Sequence, residues 1–107
     1  MKIASSTAAC ALLLMASTVH AENANGVVTG LGCYNLDDVC WVSLDGYGNS
    51  VYCNHTNQLR WDASTSWGKR WYATILAASL SGRSLWFYVS PDTCSVQGYP
   101  TFVYGGM

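Results

Sequence analysis

Apolar residues recur at helical spacing from Trp67 to Leu80, Gly82 follows, and Ser84 to Tyr88 is rich in strand-forming residues. The pattern predicts one amphipathic helix, a left-handed glycine stop and the strand on which the helix packs. At about 100° per residue, Gly68, Trp71, Tyr72, Ile75, Ala78, Ser79 and Gly82 share one face. Ser64, Thr65 and Ser66 offer side-chain oxygens to cap the helix start. No other stretch after the N-terminal segment has this period. The rest of the chain must therefore be short strands and turns around a single helix.

The first residues read as a leader. Lys2 is the lone charge before Glu22, and an apolar run spans Ala8 to Ala16. Val19-His20-Ala21 meets the small-x-small rule of signal peptidase, which predicts a signal peptide over 1–21 cut after Ala21. Lipidation at Cys10 is disfavoured, because Thr7-Ala8-Ala9 lacks the leucine such a site carries. Residues 22–107 then form a single domain, secreted or periplasmic. A chain this small buries only roughly 60–65% of its unfolded surface and needs staples. Cys33, Cys40, Cys53 and Cys94 supply them as two disulfides, with three pairings open. The preferred pairing is Cys33–Cys40, closing a short turn, and Cys53–Cys94, tying a strand to the far side of the helix unit.

Beyond the leader, Arg60, Lys69, Arg70 and Arg83 face Glu22, Asp37, Asp38, Asp45, Asp62 and Asp92. No basic stripe exists for nucleic acid, and no cationic amphipathic surface for a membrane. The leader's apolar run is too short to be a membrane span. Along the chain, Glu22 to Asn25 reads as a loose polar leader. Gly26 to Gly32 reads as a first strand, Asn35 to Asp38 as a turn, and Val39 to Leu44 as a second strand. Asp45-Gly46 signals a hairpin and Ser50 to Asn54 the returning strand of a meander. Leu59 to Asp62 adds a short extended piece. Ser84 to Ser90 is a strand that Pro91 ends, and Thr101 to Val103-Tyr104 is the last strand before a frayed Gly105-Gly106-Met107.

No residue set points to catalysis. His55 lies between Asn54 and Thr56 as a loop residue, and nothing resembles a nucleophile elbow. The Asp residues sit mostly in turns, where they serve their own backbone. The spacing supports neither a metal site nor a cofactor. The aromatic residues are the functional lead, because all five Trp and all seven Tyr lie beyond the leader. Their flat apolar faces and polar edges suit sugar rings or protein partners. Tyr47, at a hairpin tip, is expected to be the most exposed; Trp41, Tyr34 and Tyr99 are further binding candidates. In the strand after the helix, either Trp86 and Tyr88 or Phe87 faces out. On the helix, Ala73, Leu76, Ala77 and Leu80 lie opposite the packing face and exceed what one sheet contact needs. They are expected to be covered by a loop or the C-terminus, or by copies of the chain.

The order Cys53, Trp67-Gly68-Lys69, Ile75-Leu76-Ala77-Ala78-Ser79-Leu80-Ser81-Gly82-Arg83, Cys94 and Tyr99-Pro100-Thr101-Phe102-Val103 resembles a group of small secreted bacterial proteins. More distantly it is similar to the binding subunits of subtilase cytotoxin and typhoid toxin. The resemblance implies a small oligonucleotide/oligosaccharide-binding-type five-stranded barrel with one helix. It implies a pentameric ring with helices lining the centre, and a cell-surface glycan as ligand. The glycan-binding positions it implies are Asn25-Gly26 and Tyr88-Val89. Asn25 stands where those subunits carry serine, and Val89 where they carry a binding tyrosine. The expectation is thus a mostly-β, disulfide-stapled, non-catalytic module that binds a glycan or a protein. Its rivals are a small hydrolase built on His55 and a secreted inhibitor or structural protein.

Overall fold

The computed structural model describes residues 22–48, 53–55, 57–95 and 97–107. The elements are β1 (Glu22–Cys33), β2 (Val39–Leu44), β3 (Leu59–Asp62), α1 (Ser66–Ser81), β4 (Ser84–Cys94) and β5 (Pro100–Gly106). They form one antiparallel five-stranded sheet in the order β3-β2-β1-β4-β5, with α1 packed on it. The proposed leader lies outside the described residues.

α1 forms where the apolar period places it. Thr65 is the N-cap, its hydroxyl accepting from the Gly68 N–H at 3.0 Å. Gly82 ends the helix at φ 69°, and its N–H reaches the Ala78 carbonyl. Gly68, Ile75 and Ala78 are buried, with Trp71 and Tyr72 half-buried beside them. A Cβ at Gly68 would collide with the Asp62 carbonyl oxygen, so this position lets the helix start sit against the end of β3. The Trp61 indole N–H donates to the Gly68 carbonyl at 3.0 Å and ties the same two elements.

β1 changes partner along its length. Glu22 to Val27 pair with β4, and Val28 to Cys33 pair with β2. Gly26 lies just before the change, its φ of 148° favours glycine, and Asp45 latches the strand beside it. Its carboxylate accepts from the Val27 N–H at 2.8 Å, and its own N–H donates to the Val27 carbonyl at 3.0 Å. Glu22 to Asn25 are thus strand rather than a loose leader, because β4 offers them a ladder.

Three further expectations change. Ser50, Val51 and Tyr52 lie outside the described residues, and Cys53-Asn54 form a bend. The outer edge of β2 is taken by Leu59–Asp62, with Trp41 opposite Arg60 and Cys40 opposite Trp61. Pro91 does not end β4, which runs on to Cys94 through a register shift after Val89. Beyond Val89 β4 has lost β1 as a neighbour, so a missing N–H is tolerated there. Gly105 and Gly106 do not fray but pair with Phe87 and Trp86.

The core holds Ala24, Cys40, Val42, Leu44, Leu59, Trp61, Ile75, Leu85, Phe87, Val89 and Phe102. Trp71 and Phe87 meet at 5.5 Å, and Trp61 and Phe102 at 5.6 Å across the two sheet edges. The disulfides are Cys33–Cys40 and Cys53–Cys94. Two disulfides indicate an oxidising compartment, extracellular or periplasmic. No helix among the described residues is long and apolar enough to cross a membrane. No ladder among them joins β3 to β5, so the sheet is open.

Candidate functional site

The alternation of β4 settles which aromatics face the core. Leu85, Phe87 and Val89 are buried, so Trp86 and Tyr88 stand on the opposite, outer face. Across β1 the register sets Asn25 beside Trp86 and Asn23 beside Tyr88, and both asparagines are exposed. Across β5 the partner of Tyr88 is Tyr104, and that of Trp86 is Gly106. Strict alternation from the buried Phe102 would have sent Tyr104 inward. The register shift between Tyr88 and Val89 leaves Val103 as the extra residue and turns Tyr104 outward.

These residues make a corner. An ideal Cβ on Gly106 would lie 3.1 Å from Trp86 Nε1 and 3.3 Å from Cε2 and Cζ2, so the indole lies flat across Gly106. The Tyr104 ring stands at 79° to the indole, centroids 5.9 Å apart. Tyr88 backs Tyr104, the two rings parallel within 2° and 5.0 Å apart. Trp86 is the floor and Tyr104 the wall, 43% and 51% exposed respectively. Asn23 and Asn25 supply amide donors and acceptors along the neighbouring strand. Such a corner offers a π face for C–H groups and polar edges for hydroxyls.

The other aromatic candidates fall elsewhere. Trp41 lies over Gly30 and Gly32, where a Cβ would meet its ring at 3.0 Å and 2.8 Å, so it is half-buried cover for β1. Tyr47 is half-buried against the core rather than the most exposed aromatic. Tyr34 and Tyr99 belong to a cluster around Arg60. That side chain is only 5% exposed, with its guanidinium 3.6 Å from the Tyr99 centroid and 5.1 Å from that of Tyr34. It donates to Gln58 at 2.9 Å and 3.0 Å, to the Tyr34 hydroxyl at 3.1 Å, and to Gln97. Gln97 in turn donates to Asp37 at 3.1 Å. His55 stacks on Tyr99 at 4.7 Å. The cluster pins the loops beside both disulfides onto β3.

Asn25 and Tyr88 are therefore the candidates that the fold brings together, joined by Asn23, Trp86 and Tyr104. Trp86 is ambiguous in sequence because Leu85 to Val89 is apolar throughout. Tyr104 is hidden by the bulge. Ala73, Leu76, Ala77 and Leu80 are all exposed on α1, Leu80 at 81%. Among the described residues, no three His, Cys, Asp or Glu side chains group to hold a metal ion. No family model, curated protein or solved structure matches this chain.

Proposed function

We propose that this protein is a secreted, non-catalytic glycan-binding module whose site is the outer face of β1, β4 and β5. The observation that carries the proposal is the exposed Trp86–Tyr104 corner with Asn23 and Asn25 beside it. A pyranose ring packs its C–H face on the indole, its edge meets Tyr104, and its hydroxyls exchange hydrogen bonds with the amides. Tyr88 holds Tyr104 upright. Pyranose chemistry fits because the corner combines apolar faces with neutral hydrogen-bonding groups.

The proposal extends to export and assembly. Cleavage after Ala21 delivers the chain to the compartment in which its disulfides form. Ala73, Leu76, Ala77 and Leu80 pack against further copies, giving several sugar sites per particle and hence avidity. The toxin-subunit resemblance supports a ring, and it supports drawing the sheet as a barrel in which β3 and β5 approach. The short Trp61–Phe102 distance is in line with that drawing. A glycan array probed with the native protein and with Trp86→Ala and Tyr104→Ala tests the binding site. The native protein scores a defined set of glycans, and both variants lose it. Retained binding by folded Trp86→Ala protein refutes the site.

A further inference from the structure

The corner on the outer face lies beside a cleft on the other side of β5. This cleft has a volume of about 530 Å³ and runs between β5 and α1. Its walls are Trp67, Arg70, Trp71 and Thr74 on the helix, and Gly105, Gly106 and Met107 on the strand. Gly106 belongs to both places, since it also underlies the Trp86 indole. Neither Gly105 nor Gly106 carries a side chain, so only the backbone of an edge strand separates the corner from the cleft.

The absence of those side chains is dictated from both directions. A Cβ on Gly106 would press on the Trp86 ring, and one on Gly105 would strike the Trp86 carbonyl oxygen and Phe87. The edge is thin where a ligand would cross it. Beyond the edge, Trp67 is 43% exposed and gives a second indole surface. Arg70 and Thr74 are one helical turn apart and add donors on the same wall. The cleft has the size of a ligand site and repeats the chemistry of the corner: an indole, hydrogen-bonding groups and accessible backbone.

We infer that the cleft is a second subsite of the glycan site, taking the sugar units that follow the one held on Trp86. The ligand is an oligosaccharide that enters the corner by its terminal residue and bends over Gly105-Gly106 to reach Trp67. Tyr104, backed by Tyr88, bounds the corner along the strands, which makes the first subsite a place for a chain end. The inference rests on the glycan reading above and adds length and direction to it. It assigns Trp67 and Arg70 a binding role that Trp86 does not share.

Titration with three ladders of sugars tests it: glucose to cellotetraose, N-acetylglucosamine to chitotetraose, and galactose through lactose to lacto-N-tetraose. For the ladder that binds, affinity rises about tenfold or more from the single sugar to the longer members. Trp67→Ala and Arg70→Ala remove that increment and leave single-sugar affinity within about twofold of native. Trp86→Ala abolishes binding of every member. Near-UV circular dichroism checks that each variant is folded. If the Trp67 and Arg70 variants bind the long members as tightly as native protein does, the second subsite is wrong and the corner survives. If no ladder member binds and the array is blank, the glycan reading fails with it.

Discussion

Arg60 shows how one residue can be structural and still resemble a site. The residue is 5% exposed, and its guanidinium lies against Tyr99 and donates to the neutral oxygens of Gln58, Gln97 and Tyr34. Among the described residues no carboxylate pairs with it directly. Burying such a charge is tolerated because nearly every donor is used and two rings flank the plane. Arg60→Ala should lower stability by about 2–4 kcal/mol in urea unfolding, since it strands these acceptors. Lysine should not restore it, having neither the planar fork nor the stacking surface. Asp62 makes a smaller prediction. The Ser64 hydroxyl, and then its backbone N–H, donate to the carboxylate at 2.6 Å and 2.9 Å and hold its pKa below the usual value of 3.8. A depressed pKa contributes stability that is present above pH 3.8 and lost as pH falls through the lowered value. Ser64→Ala should flatten that acid limb of the stability profile, followed by thermal melts from pH 5 to 2. Trp86 is undecided in the sequence because its neighbours are apolar on both sides. Burial of Phe87 under Trp71 resolves it.

Among the elements, the helix is the most legible in sequence and β5 the least. The apolar period, the Thr65 cap and the Gly82 stop are local signals, and each acts at short range in the fold. Thr65→Ala should cost about 1 kcal/mol through loss of the cap to Gly68. Gly68→Ala should cost about 1–3 kcal/mol by overpacking against the Asp62 carbonyl, although alanine is the better helix former. Chemical denaturation of both variants checks the order. The strands are harder to read because their partners are distant in sequence. Glu22, Asn23 and Asn25 are polar yet form strand, since the backbone ladder to β4 and the burial of Ala24 hold them there. The bulge at Val103 has no local signature, and it decides where Tyr104 points. The aromatic corner is therefore half legible: Asn25 and Tyr88 are in view, while Asn23, Trp86 and Tyr104 need the sheet register.

At the scale of the molecule, the described residues form one small sheet that carries α1 and is held by two covalent ties. Cys53–Cys94 closes a span of 41 residues and Cys33–Cys40 a span of 7. On the loop-entropy account these contribute about 4 and 2.5 kcal/mol. The paired variant Cys53→Ala/Cys94→Ala should therefore lose more stability than Cys33→Ala/Cys40→Ala, which urea midpoints will rank. The longer tie also joins the loop bearing His55 to the end of β4, beside the Arg60 cluster. Tyr34, His55, Arg60, Gln97 and Tyr99 are thus tied into one cluster, while the face of β1, β4 and β5 is left open with its aromatics exposed. The corner on that open face is the proposed binding site. It is tested most directly by two-dimensional NMR of the labelled protein titrated with the strongest array ligand. Shifts are expected at the Trp86 indole N–H, the Asn23 and Asn25 side-chain amides and Gly106. Shifts confined to the Arg60 cluster or to Leu76 and Leu80 on α1, with the Trp86 indole unmoved, would contradict it.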